Sequence, residues 1–281
     1  MIKVVVDSTA DIPPDVRSSY GISVVPLLVQ FGRETLRDDV DISRDEFYER
    51  LVSAEELPKT AAPAVGMYEE VFRELAADGS EIISISVADK LSATFGSSQQ
   101  AARLIEGARI TCIDSESVAM PLTYMAIAAA RAVQAGCSFE EVVALVEALR
   151  PHLMLYVGMD TLRYLEKGGR IGRTRALLGT MLSVKPILEV RAGEVYPVEQ
   201  VRTWRRMPPR LVELAQARGS FDELSVQYTT GRQNAEQLAD LCAASGLMER
   251  ERIRVVQAGA ALGTHVGPGA LAVTGLLRAE S

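Results

Sequence analysis

The sequence predicts a two-domain α/β protein, and three observations carry that expectation. Short β-branched runs alternate with helical stretches through the first half, as at 2–6, 82–87 and 110–113, and such βαβ alternation implies a mainly parallel sheet with helices on both faces. The 281 residues exceed the size at which a single core comfortably grows. Near Pro151 the pattern changes to a Gly- and Arg-rich loop and a hairpin, which implies a mixed sheet in the second half. We therefore expect an N-terminal three-layer α/β/α domain over 1–150 and a C-terminal two-layer α/β domain with a mixed sheet over 151–281.

Each element has a local reason. The run Ile2–Val6 meets Asp7-Ser8-Thr9 and then Pro13-Pro14, the pattern of a buried strand feeding a helix start. Residues 22–30 read as a second strand, and Arg33 to Asp41 as a polar stretch with little periodicity. Ser43 and Glu46 stand at capping-box spacing before a helix carrying Phe47, Tyr48 and Leu51. After Pro63 come a helix over 65–77, a strand over 82–87, a helix over 92–106 with Ser92 at its N-cap, and a strand over 110–113. Helices over 119–135 and 138–149 follow, the second opened by Ser138 and Glu141. Beyond Pro151 the reading is strand (153–157), short helix (160–167), basic loop, helix (174–182), and a hairpin over 185–202 turning at Ala192-Gly193. Helix (208–218), strand (223–229), helix (232–244), strand (253–258), a Gly-rich loop and strand (270–276) complete it.

Composition narrows the function. The chain is 48% apolar with a formal net charge of -7 and a pI near 5.1, which argues against broad binding to nucleic acid or anionic membrane surfaces. Acidic Asp7 interrupts the N-terminal run before an apolar signal region develops, and no stretch approaches the ~18 apolar residues of a membrane span. A cytoplasmic location is the expectation. Cys112, Cys137 and Cys242 form no C-x-x-C pair, and His152 and His265 are far apart, so no disulfide framework, metal centre or cofactor is expected.

Four segments could carry chemistry. Lys59-Thr-Ala-Ala-Pro63 reads either as a plain helix-leading loop or as a hydroxyl, Thr60, beside free helix N–H groups suited to an anion. Ser92 lies just past the carboxyl end of a probable parallel strand, where α/β folds place ligands, and equally reads as a simple N-cap. Lys167-Gly168-Gly169-Arg170, with Arg173 close behind, is either a Gly-Gly helix stop or a flexible basic flap over an anion. His265 stands in Gly263-Thr-His-Val-Gly-Pro-Gly269, as a turn residue or a hydrogen-bond partner for a ligand. There is no G-x-x-x-x-G-K-[ST] loop and no G-x-S-x-G elbow.

In this order the segments resemble the DegV family of bacterial fatty-acid-binding proteins. The landmarks are Asp7-Ser-Thr-Ala-Asp with Pro13, Lys59-Thr-Ala-Ala-Pro, Leu91-Ser-Ala-Thr-Phe with Ser97-Ser98, Ile113-Asp-Ser, Leu165-Glu-Lys-Gly-Gly-Arg-Ile-Gly, Lys185-Pro-Ile-Leu, Val201-Arg-Thr and His265-Val-Gly-Pro-Gly-Ala-Leu. The resemblance spans essentially the whole chain. It implies an acyl tunnel between the two domains, with a carboxylate held by Thr60, Ser92 and His265. It also implies that Lys167, Gly168, Gly169 and Arg170 cover the headgroup, and Arg173 is a candidate for the same cover or for partner contact. The implied partners are a long-chain fatty acid or acyl phosphate and a separate fatty acid kinase, with no activity of the chain's own. Ala61, Ala62 and Ala64 replace the Ser, Gln and Ser of the commoner first-loop form, which thins the polar surroundings of the headgroup. Met120, Met125 and Met181 are candidates for the tunnel lining. The alternative from another class is a stand-alone phosphoryl-transfer or hydrolytic enzyme using Asp7, Asp114 and the Arg170/Arg173 pair.

Overall fold

The computed structural model describes residues 1–180 and 184–278. In the first half β1 (Ile2–Asp7), α1 (Pro14–Tyr20), β2 (Ser23–Val25), β3 (Leu28–Phe31), β4 (Glu34–Arg37), α2 (Arg44–Ser53), β5 (Lys59–Ala61), α3 (Val65–Ala76), β6 (Glu81–Ser86), α4 (Thr94–Ala102), β7 (Ile110–Asp114), α5 (Met120–Gln134) and α6 (Phe139–Ala148) follow in order. Strands β2-β1-β6-β7 make a wholly parallel sheet. Because successive side chains point to opposite faces, each apolar run feeds two cores. Val4, Val6, Ile83 and Ile85 pack on Leu122 and Met125 of α5 and on Val142 and Val146 of α6. Val5 and Ile82 pack on Tyr68 and Phe72 of α3 and Ala101 of α4. The result is the expected α/β/α sandwich, with its helix caps in place: the Ser138 hydroxyl accepts from the Glu141 N–H while the Glu141 carboxylate reaches back to Ser138.

The second half runs β8 (Leu153–Gly158), α7 (Arg163–Lys167), β9 (Lys185–Arg191), β10 (Glu194–Val201), α8 (Met207–Gln216), β11 (Phe221–Tyr228), α9 (Arg232–Ala244), β12 (Arg254–Gln257), α10 (Ala260–Val266) and β13 (Leu271–Leu277). Its six strands lie in the order β10-β9-β8-β13-β11-β12. All neighbours are antiparallel except β11 and β12, which makes the sheet mixed, as expected. Met154, Tyr156, Ile187 and Val226 bury one face against Leu211 of α8 and Leu238 of α9. Leu155, Leu188, Val190 and Val195 bury the other without a helix of that layer above them. That uncovered face looks toward the first half.

Several expectations are corrected. Residues 22–30 do not form one strand: the chain breaks at Pro26-Leu27 into β2 and β3, which belong to different sheets. The polar stretch after Arg33 contains β4, and the Lys59-Thr60-Ala61 loop is itself a strand, β5; together β4-β3-β5 form a small antiparallel sheet. The Gly-rich segment before β13 is helical over α10. Instead of an α-helix from 174, a 3-10 helix covers Gly172–Thr180, opening with the short-range bond from Thr174 N–H to the Ile171 carbonyl; the remainder of that expected helix, with Met181, lies outside the described residues. Met120 and Met125 pack in cores. Neither is among the residues that line the cavity described below.

Candidate functional site

A cavity of about 1000 Å³ of empty space, partly open to solvent, lies between the two sheets. Its floor is the helix-free face of the mixed sheet, through Leu155, Val157, Leu188, Val190 and Ala272. Its roof is the carboxyl end of the parallel sheet, where the chain leaving β6 supplies Val87 and Leu91 and the chain leaving β7 supplies Val118 and Ala119. Helix α10 forms a side wall through Ala261, Leu262, His265 and Val266. The walls are overwhelmingly aliphatic, with Thr60, Ser92, Arg170 and His265 grouped at one end.

Two of these four touch directly, and the other two are held by the backbone around them. Thr60, on the edge strand β5, places its Oγ1 2.8 Å from His265 Nε2 in the last turn of α10. The other ring nitrogen, Nδ1, is buried without a partner. It faces Gly168 so closely that a Cβ on Gly168 would stand 2.2 Å from it. Arg170 then bridges to the Ser92 loop: its Nε donates to the Leu91 carbonyl at 2.9 Å and its Nη1 to the Gly168 carbonyl at 2.8 Å. Ser92 is not an N-cap. Helix α4 begins at Thr94 behind Ala93, with no side-chain cap, and the Ser92 hydroxyl lies 2.8 Å from Thr94 Oγ1, facing the cavity.

Electrostatically the end of the cavity is poised for an anion without a buried free cation at its centre. Burial pushes the His265 imidazole down to about 4, helped by the Arg170 guanidinium, so the ring is neutral at neutral pH and carries one proton. With that proton on Nε2, the ring donates to Thr60 and frees the Thr60 O–H for an acceptor in the cavity. The Arg170 guanidinium lies at the rim, where the cavity meets the outer cleft.

The basic loop is divided by the structure. Arg170 reaches the cavity and Gly168 packs on His265, while Lys167 and Gly169 are exposed. Arg173 turns away, pairing with Glu194 at 3.4 Å and stacking on the Tyr196 ring at 5.0 Å. Outside the cavity a polar cleft of about 930 Å³ shares Leu91, Ser92, Arg170 and Val195 with it and adds Lys90, Gly169 and Glu194. It is crossed by Lys90, whose Nζ donates to the Ala192 carbonyl at 3.0 Å.

The match to known proteins fits this geometry. The chain matches the model of the DegV family, described as an uncharacterised protein family, over residues 1–277. It belongs to the DegV family. A DegV domain-containing protein of Halalkalibacterium halodurans is 31% identical over 278 residues, covering 97% of both chains, and the DegV protein of Bacillus subtilis is 30% identical over 276 residues, covering 97% of this chain and 98% of its own. Among solved structures, a DegV family protein from Thermus thermophilus, described by its fatty acid binding, superposes with a TM-score of 0.91 at 29% identity over 99% of each chain. DegV from Bacillus subtilis, described as a fatty acid binding protein, gives 0.88 at 29% identity over 99% of each chain.

Three aspartates stand behind the cavity, and of these only Asp38 had no motif to mark it. The opening motif holds Asp7 and Asp11, and Asp38 joins them from the turn after β4; all three side chains are buried. Asp7 accepts from Thr9 N–H, Thr9 Oγ1 and Val87 N–H, which ties the end of β1 to the end of β6. Burial raises the Asp7, Asp11 and Asp38 carboxyls, against the pull of the donors around them. Asp114 accepts from the backbone N–H groups of Asp89 and Glu116. Both carboxylates of the enzyme alternative are thus engaged in shaping turns. Among the described residues there is no cluster of His, Cys, Asp and Glu suited to a metal, and no helix long and apolar enough to cross a membrane.

Proposed function

We propose that this DegV-family protein holds one long-chain fatty acid in the cavity, its tail along the aliphatic walls and its carboxylate at Thr60, Ser92 and His265, with Arg170 at the rim. The observation that carries the reading is the cavity itself: mostly aliphatic, with a threonine hydroxyl and a neutral imidazole meeting in its wall. Each buried methylene contributes ~0.8 kcal/mol, so a tail of about fifteen supplies on the order of 10 kcal/mol gross before ordering costs. A carboxylate buried without partners would cost several kcal/mol, and the polar end offsets that cost. Solved relatives at 26–29% identity, described as fatty acid or stearic acid binding, support the same ligand class.

In this reading the chain is a carrier and not a catalyst. It divides near residue 150 into two domains with the ligand between them, presents the carboxylate through the outer cleft to a separate fatty acid kinase, and then carries the acyl phosphate. Lys167, Gly169 and Arg173, on the outer surface beside that cleft, are candidates for the partner's footprint.

Native mass spectrometry of the purified protein, followed by extraction and lipid identification, tests the binding. A co-purifying fatty acid, and loss of affinity in Ser92→Ala and His265→Ala with the fold intact, is the expected result. A chain that ignores added fatty acid, or hydrolyses phosphate esters alone, overturns it. The kinase step is tested by acyl phosphate formation with an added fatty acid kinase, which should require the loaded protein.

A further inference from the structure

Helix α10 carries His265, yet only seven residues form it and Gly263 sits at its centre. Its position must come from what holds it. Four consecutive residues at its start are each gripped by a side chain from the first half of the molecule. Arg44 donates to the Gln257 carbonyl, Tyr48 Oη donates to the Ala258 carbonyl at 2.9 Å, the Gly259 N–H donates to Asp11 Oδ1 at 2.8 Å, and the Ala260 N–H donates to Asp38 Oδ1 at 2.8 Å. The grip is tight. A Cβ on Gly259 would stand 3.0 Å from Asp11 Oδ1 and 3.2 Å from Asp38 Oδ1, and one on Gly263 would meet Phe47 Cε1 at 2.5 Å and the Tyr48 hydroxyl at 2.7 Å.

The carboxylates are anchored in turn. Asp11 Oδ2 accepts from Gln227 Nε2 at 2.9 Å, and Gln227 Oε1 accepts from the Met120 N–H at 3.2 Å. Asp38 Oδ2 accepts from Ser8 Oγ at 2.8 Å, and Ser8 Oγ accepts from the Leu27 N–H at 3.0 Å. Arg44 lies 3.9 Å from Asp11 and 2.6 Å from Asp39. About one and a half helical turns separate the clamped Ala260 from His265, or roughly 7.5 Å at 1.5 Å per residue. With one end fixed in translation and rotation, the other delivers the imidazole to Thr60.

We propose that Asp11 and Asp38, with Arg44 and Tyr48, are positioning residues of the carboxylate-binding site: they set α10 so that His265 meets Thr60. The inference rests on the fatty-acid reading for its consequence, although the geometry it describes does not need a ligand. The two acids differ in what an amide could replace. In Asp38→Asn the new NH₂ meets Ser8, whose hydroxyl can rotate to accept it. In Asp11→Asn one side of the amide presents N–H to another N–H, from Gly259 or from Gln227. Gln227 cannot turn over to relieve this without losing Met120.

The test uses the full chain without fatty acid first. NMR of the His265 ring should show its resonances displaced in Asp11→Asn and near wild type in Asp38→Asn. Fatty acid affinity should then fall about ten-fold or more in Asp11→Asn and less than about three-fold in Asp38→Asn, the scale expected for an unsatisfied buried donor against a satisfied one. If Asp11→Asn does not fold, Tyr48→Phe, which removes only the grip on Ala258, should displace the same resonances. Unmoved His265 signals in folded Asp11→Asn, or in Tyr48→Phe where Asp11→Asn does not fold, overturn the positioning role whatever the variant's thermal stability. Wild-type protein that binds no fatty acid would overturn the function proposed above instead, leaving the NMR result to judge the clamp.

Discussion

Replacing Gly168 by alanine tests the site at its tightest point. Gly168 has φ of -77°, a conformation any residue adopts, so its lack of a side chain is not explained by the backbone. On propensity alone alanine at the end of α7 would gain up to ~1 kcal/mol. Against this, the new methyl would sit 2.2 Å from His265 Nδ1, 2.8 Å from Cε1 and 3.0 Å from the Tyr164 carbonyl, and overpacking of this kind costs ~1–3 kcal/mol. The clash wins, and the ring is the group able to move. Gly168→Ala should therefore lose about 1–2 kcal/mol of stability, break the Thr60 contact and weaken fatty acid binding about ten-fold. Gly169→Ala is the control. Its φ of +72° costs alanine ~1–2 kcal/mol, yet nothing lies within 4 Å of the added carbon, so a similar stability loss should leave binding intact. Denaturant melts and isothermal titration of both variants, and of Gly168→Ala in a His265→Ala background, decide the matter. Wild-type affinity in Gly168→Ala, or a stability cost undiminished once the ring is gone, would refute the reasoning.

Acid should destabilise the protein partly through His265. Burial holds its folded pKa at about 4, below the 6.5 of an ordinary imidazole, so this contribution is complete above pH 6.5 and is lost as pH falls toward 4. The gap corresponds to on the order of 3 kcal/mol, read as the shrinking stability difference between wild type and His265→Gln in parallel melts. Val157→Phe, on the cavity floor, should fold normally and bind shorter acyl chains in preference to longer ones, as lipid identification after purification would show. Ser138→Ala removes a capping box remote from the cavity and should cost ~1 kcal/mol of stability with no change in affinity.

Both sheets, most helices and the cap at Ser138 were legible because each rests on local signals: β-branched runs, capping spacing, a Gly turn at Ala192-Gly193. The small sheet was not. Strands of three or four residues show no period, and β4 is largely exposed, so nothing apolar marks it. Helix α10 was hidden for a different reason. Ala260-Ala-Leu-Gly-Thr-His-Val reads as loop because a short segment with a central glycine has little helical tendency of its own, and it is helical here through its contacts with α2 and the clamp. Thr60, Ser92 and His265 could be named from motifs, but their meeting depends on pairings across the whole chain, such as the 205 residues between Thr60 and His265. Asp38 carried no signal at all. Its partner Ser8 is 30 residues away. The cavity did leave one trace: β8 is apolar on both faces, which an antiparallel strand with one wet face would not be.

The place of β13 bears on how the molecule is assembled. It lies between β8 and β11, pairing with both, although it follows both in sequence. During synthesis the first sandwich can close early, while the floor of the cavity remains two unjoined sets of strands until residues 271–277 have emerged from the ribosome. Long-range pairing of this kind is slow relative to local structure. In that interval Leu155, Val157, Leu188 and Val190 lie on a floor that β13 has not yet completed. A nascent chain stalled before β13 would expose the same greasy surface that the finished protein reserves for its ligand.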